Sequence, residues 1–309
     1  MSIREERVRI EGKFAIGATI TRNDAEISPA IVIVMGTGKL DRDGNGKGMN
    51  LNFYKDLADF FGNKGFVVAR FDKRGTHESE GDFNSTGLND LVDDAISVVR
   101  YVKQLPYVDE NKVIVCGHSE GAMIATLMAE KEGLAGLILL GGAATSMKDG
   151  LHYQYTEVEQ QSKDMKGLKG MIIRRSASLE KSEAKSAKMF EKARNSGKDK
   201  SMLGPSPKWL REHESHSTED YVSILRSFGR PVLAITGKSD LNVDYRQLDN
   251  IRDIPGISCY APEGINHILR KVDDDNSILD IKKQYIRLSR EPIDEDVLRT
   301  IGEWLGSNF

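Results

Sequence analysis

Apolar and polar residues alternate along this chain with two interleaved periods. Val8, Ile10, Phe14, Ile16 and Ile20 alternate with polar neighbours, which predicts a hairpin over 7–20 turning near Glu11-Gly12-Lys13. Ala30–Met35 is apolar without a break, the signature of a strand covered on both faces of a parallel sheet. Phe66–Phe71, Lys112–Cys116, Gly136–Leu140, Pro231–Thr236 and Ile257–Ala261 read the same way. Between these runs the period lengthens. Helices are predicted over Asn52–Phe61, ended by Gly62 and Gly65, and over Leu88–Leu105, closed by Pro106. Further helices are predicted over Ala122–Ala129, Tyr245–Ile254 and Asp294–Leu305. Strands alternating with crossover helices imply an α/β fold with a doubly wound, mostly parallel sheet. Ligands of such sheets bind at the carboxyl ends of the strands.

The rhythm breaks from about Thr145 to Phe228. This stretch is rich in Lys, Glu, Ser and Met, and its helices, such as Leu179–Ala193, carry only a thin apolar stripe. It is too polar to form a core of its own, and it reads as a helical cap inserted over the sheet's active-site edge. The domains expected are therefore 1–144 with 229–309, and an inserted cap over 145–228. Basic residues outnumber acidic ones between Lys148 and Lys200, and a solvated helix face explains them better than an anionic substrate.

Composition narrows the picture. A chain of 309 residues is long for one simple domain, which suits one domain carrying an insertion. A net charge of -3 gives no reason to expect a nucleic-acid partner. The longest apolar runs, Ala30–Met35 and Leu134–Leu140, are far too short to span a bilayer. The charged start, Ile3-Arg4-Glu5-Glu6-Arg7, lacks the apolar stretch of a signal peptide. The two cysteines, Cys116 and Cys259, lie in strand-like runs with no metal-site or redox-pair neighbours, so a reduced, cytoplasmic protein is expected.

The chemistry centres on Gly117-His118-Ser119-Glu120-Gly121, set between an apolar strand and a helix. A strand, a sharp turn and a helix with serine at the apex make a nucleophile elbow, which exposes the hydroxyl at a helix N-terminus. A serine hydroxyl needs a base, and the base needs an orienting acid. Of six histidines, only His267 lies just beyond a late strand. Asp240, past the preceding strand, is the acid; Asp244 is the alternative. The order Ser119, Asp240, His267 is the one expected when this elbow is built on such a sheet. Donors for a developing oxyanion are the N–H of Glu120 and one from Met35-Gly36-Thr37-Gly38-Lys39, Thr37 or alternatively Gly38. The Glu120 side chain reads as a first-turn carboxylate pointing away from the site.

Other motifs fall short. Asp41-Arg42-Asp43-Gly44-Asn45-Gly46 begins like a calcium loop, but Asn52 stands where the bidentate Glu belongs. Lys39 and Lys47 lie among glycines without forming a phosphate loop. Asp72 and Arg74 read as a turn held by charge-assisted hydrogen bonds rather than a catalytic pair. Trp209 is a candidate wall of an acyl pocket, but an aromatic in a cap reads better as packing. No metal or cofactor is expected.

The chain resembles the α/β-hydrolase superfamily, and within it bacterial carboxylesterases related to the dienelactone-hydrolase and prolyl-oligopeptidase branches. The resemblance rests on Gly36-Thr37-Gly38 with Asp41-Arg42-Asp43, Phe71–Gly75, Gly117–Gly121, Pro231–Asp240 and Asn266-His267, with a looser match at Ser206–Leu210. It implies cofactor-free hydrolysis of a small acyl ester through an acyl-enzyme. Such enzymes usually have His where this chain has Met35. The stretch after His267, with Asp273-Asp274-Asp275, is longer than usual. A thioesterase or acyltransferase would use the same residues. A peptidase or a non-catalytic binding protein fits less well. The oligomeric state, including a homo-oligomer, stays open.

Overall fold

The computed structural model describes residues 3–202, 204–272 and 276–309, so the Asp273-Asp274-Asp275 run lies outside the described residues. Eight strands form one sheet: β1 Arg4–Ile10, β2 Ile16–Arg22, β3 Ser28–Val34, β4 Val67–Phe71, β5 Val108–His118, β6 Gly136–Leu140, β7 Val232–Ile235 and β8 Ile257–Tyr260. Their spatial order is β1-β2-β4-β3-β5-β6-β7-β8. The β1–β2 and β2–β4 pairs are antiparallel, and every later pair is parallel. From β3 the chain steps to β4 on one side, then returns past β3 to β5 on the other. The carboxyl ends of β3 and β5 thus flank the crevice where the winding reverses, and ligands of open α/β sheets bind at such a switch point.

Both faces of the central strands are covered, as their unbroken apolar runs require, whereas β1 is largely exposed. On β3, Ala30, Val32 and Val34 pack into a core with α2 (Leu88–Lys103) and α3 (Glu120–Met128). Ile31 and Ile33, with Met35 just beyond, pack into a second core with α1 (Phe53–Asn63) and the C-terminal helix (Glu295–Asn308). Burying side chains such as Leu57 and Phe61 fully contributes roughly 1.5–3 kcal/mol each.

Two expectations need correcting. Gly62 does not end α1; it lies inside the helix, packed against Thr21 and Ile3, and Gly65 at φ +97° makes the stop. The helix expected over 245–254 is only a short 3-10 turn, Tyr245–Asn250, because Ile251 leaves the helical region at φ -128°.

Five helices enter between β6 and β7: α4 Met147–Asp164, α5 Gly167–Ser176, α6 Leu179–Arg194, α7 Pro207–Glu214 and α8 Thr218–Phe228. A small cluster of Phe190, Ala193 and Leu210 joins α6 to α7, whereas α8 buries Tyr221, Ile224 and Leu225 in the core beneath α2 and α3. The segment after His267 forms α9, Ile281–Leu288. Its Tyr285 donates to Asn242 Oδ1 at 3.0 Å. The C-terminal helix, α10, starts at Asp294, whose side chain accepts from the N–H groups of Asp296 and Val297. Among the described residues no helix is long and apolar enough to cross a membrane.

Candidate active site

The turn between β5 and α3 is the strained elbow that its residues predict. Ser119 adopts φ 57°, ψ -122°, a region that side chains other than glycine rarely enter. The flanking glycines are a steric requirement. A Cβ on Gly117 would lie 2.1 Å from the Gly121 carbonyl oxygen, and one on Gly121 would lie 2.0 Å from that of Val34. The Ser119 N–H donates to the Leu140 carbonyl at 2.8 Å, which ties the turn to β6.

His267 and Asp240 come together from the loops after β8 and β7. His267 Nδ1 lies 2.7 Å from Asp240 Oδ2, and both side chains are buried. The other Asp240 oxygen accepts the N–H groups of Asn242 and Val243 at 2.7 and 3.0 Å. That bonding leaves Nε2 of His267 as its unengaged nitrogen. Asp244 does not take part; it binds Arg246 and opens the 3-10 turn. Ser119 and His267 line one cavity of about 410 Å³ with Thr37 and Glu120; Gly38 is not among the lining residues. Volumes of this size suit a small molecule. Much of the remaining wall is apolar, including Met49, Phe53, Met123, Leu151, Met189 and Leu210, with Gln154 and Asn242 among its polar members. None of the described lining residues is lysine or arginine, so the basic excess of the insertion does not reach the cavity.

Two polar networks surround the site, and neither was visible in the sequence. In the first, Tyr54 Oη accepts the Gly36 N–H at 2.7 Å and lies 3.0 Å from His118 Nδ1, while His118 Nε2 lies 2.9 Å from the His267 carbonyl oxygen. One proton arrangement satisfies all three: the tyrosine donates to Nδ1, and Nε2–H donates to the carbonyl. Burial and the neighbouring His267 push the pKa of His118 down to about 3, so its ring is neutral at ordinary pH.

The second network centres on Glu120, whose side chain is more than a first-turn carboxylate. It is buried and accepts from Lys73 Nζ at 2.7 Å, Trp209 Nε1 at 2.5 Å and His213 Nε2 at 3.1 Å. Burial opposes its ionisation, but the attraction of Lys73 and the His213 bond prevail and hold it well below the usual carboxylate range. Trp209, read above as packing, lines the cavity and anchors α7 to the elbow helix. Lys73 in Phe71–Gly75 was the one available signal, a cation two residues beyond a buried strand.

Asp72 and Arg74 do not pair with each other. Asp72 holds Arg42 at 2.5 Å, and Arg74 holds Asp94 at 2.6 Å and Asp90 at 2.9 Å. Asp43 pairs with Arg70 at 2.6 Å, and Asp41 accepts the N–H groups of Asp43 and Asn45. The acidic loop is thus an anchored turn. Among the described residues no cluster could hold a metal ion.

A mostly parallel sheet of this order, with an elbow at the switch point and a helical insertion beside it, defines an α/β hydrolase. The family model described as serine aminopeptidase, S33, matches residues 45–253, and the chain belongs to that family of the α/β-hydrolase superfamily. Esterase EstD of Thermotoga maritima is 24% identical over 281 residues, covering 90% of this chain, which spans only 62% of that protein's length. The Pyrococcus furiosus esterase Pf2001 superposes with a TM-score of 0.56 at 13% identity, over 99% of this chain and 93% of its own. Est1E from Butyrivibrio proteoclasticus, solved with ferulic acid bound, superposes with a TM-score of 0.58 at 17% identity, over 93% and 99%.

Proposed function

We propose that the protein is a serine hydrolase that cleaves carboxylic esters through an acyl-enzyme. Ser119 attacks the ester carbonyl while His267 Nε2 takes its proton. Asp240 fixes the imidazole tautomer and stabilises the imidazolium that forms. The N–H groups of Thr37 and Glu120 receive the oxyanion, and a water activated by the same imidazole releases the acid. The observation that carries the reading is the 2.7 Å bond between His267 Nδ1 and Asp240 Oδ2 at the cavity that Ser119 also lines. The apolar wall favours an uncharged acyl chain. The inserted helices α4–α7 act as a cap that selects it, while α8, at the end of the 145–228 insertion, packs into the core of the catalytic part, 1–144 with 229–309.

Ester rather than peptide cleavage is supported by electrostatics. An aminopeptidase needs a free carboxylate for the substrate's ammonium group. Glu120, the one acid among the described lining residues, is already neutralised by Lys73. The names of two of the relatives, Esterase EstD and the esterase Pf2001, point the same way. A place near the dienelactone-hydrolase and prolyl-oligopeptidase branch is proposed on the Gly36–Gly38 and Phe71–Gly75 segments. The free thiols of Cys116 and Cys259 suit a reducing cytoplasm.

The test is turnover of p-nitrophenyl acyl esters by wild type and Ser119→Ala. The expected loss is roughly three to six orders of magnitude in kcat. An unchanged rate refutes the proposal.

A further inference from the structure

The proposed mechanism, on which this inference rests, needs two N–H groups aimed at one point. The Thr37 N–H belongs to the peptide whose carbonyl is that of Gly36. That carbonyl accepts Lys73 Nζ at 2.7 Å. The peptide bonds are all trans among the described residues, so C=O and N–H of this unit point in opposite directions. A lysine holding the oxygen from behind therefore aims the hydrogen away from itself. The second partner of the same ammonium is the Glu120 carboxylate, 2.7 Å away, and the backbone N–H of Glu120 is the other proposed donor.

We infer that Lys73 is a positioning residue of the oxyanion site, holding the Gly36–Thr37 peptide and the Glu120 side chain in one rigid frame.

Two further observations and one general effect fit this role. Tyr54 grips the other side of Gly36 by accepting its N–H, so the residue is held at both ends. A charge-assisted bond on a peptide oxygen also polarises the N–H of the same unit, strengthening it as a donor by about 10–30%. Glu120 balances the buried ammonium, and Trp209 and His213 from α7 grip the same carboxylate. The helical insertion is therefore seated on the group that organises the oxyanion donors. Glu120 in turn needs Lys73, because an unbalanced carboxylate beside a developing oxyanion would oppose the reaction.

The test uses Lys73→Met and the double variant Lys73→Met/Glu120→Gln, with kcat and KM measured on p-nitrophenyl butyrate and folding checked by circular dichroism. The double variant removes both charges together, so it preserves the fold even where the single one leaves a buried carboxylate unpaired. Loss of an oxyanion donor costs about 10²–10³ in kcat, and a misaimed one should cost toward the lower end of that range with KM little changed. A folded double variant that stays slow, by roughly 10²-fold in kcat, supports the inference. A double variant with wild-type kcat overturns it, since charge balance alone would then explain Lys73. A wild type no faster than Ser119→Ala overturns the esterase reading and this inference with it.

Discussion

Replacing Tyr54 by phenylalanine probes how the site is held. The hydroxyl accepts the Gly36 N–H and donates to His118 Nδ1, and both of those partners are buried. Phenylalanine keeps the ring, so the contacts with Phe53 and His118, at centroid distances of 5.2 and 5.8 Å, remain. Two buried polar groups lose their partner at once. Each unsatisfied group costs about 1–3 kcal/mol, so the variant should lose about 2–6 kcal/mol of stability. That is a large part of the roughly 5–15 kcal/mol by which such domains are stable. Tyr285→Phe is the control, since it removes one half-buried bond to Asn242 and should cost only about 0.5–1.5 kcal/mol. Urea denaturation at constant m-value measures both. Because His118 also holds the His267 carbonyl, kcat should fall in Tyr54→Phe more than KM rises. If Tyr54→Phe is no more destabilised than Tyr285→Phe, the bridge from Gly36 to His267 is not as described.

Four other outcomes are expected. His118 binds its proton only near pH 3 when folded, against about 6.5 when unfolded. Stability from this ring is therefore complete above pH 6.5 and is lost as pH falls toward 3, by up to about 1.4 kcal/mol per pH unit. Urea titrations over that interval should show a shallower decline in His118→Asn, and an identical slope contradicts the assignment. Gly121→Ala forces a Cβ to 2.0 Å from the Val34 carbonyl and should cost more than about 3 kcal/mol by calorimetry; a wild-type Tm contradicts the elbow geometry. Met189→Trp narrows the apolar cavity, so a series of p-nitrophenyl esters should shift toward shorter acyl chains, with no shift arguing that the chain lies elsewhere. Asp240→Asn should lower kcat by about 10³–10⁴ by leaving His267 in the wrong tautomer, and a small loss would point to another acid.

The sequence was most legible where one physical rule dominates locally. Runs such as Ala30–Met35 could only be strands covered on both faces, and β3 divides its side chains between two cores accordingly. Gly117 and Gly121 announce a turn that tolerates no Cβ, and the Ser119 dihedrals agree. Where competing local rules apply, the sequence misleads. Gly62 looks like a helix stop, but here it lets α1 lie close to Thr21. The periodic residues over 245–254 suggest a helix, but the backbone leaves the helical region at Ile251. The polar networks were illegible for a different reason. Lys73 and Glu120 are 47 residues apart, and Glu120 and His213 are 93 apart. No periodicity links such pairs; only the crossing of β4, β5 and the inserted α7 at one edge of the sheet brings them together.

Ester hydrolysis by this protein requires Ser119 to act as an acyl nucleophile driven by His267. The most direct measurement is rapid mixing with p-nitrophenyl acetate, an acid quench, and mass spectrometry of the digested protein. An acetyl group on the peptide bearing Ser119, formed within the first turnover by wild type and absent in His267→Ala, is the predicted result. Brisk hydrolysis with the acetyl group on another residue, or equal acylation in His267→Ala, would contradict it.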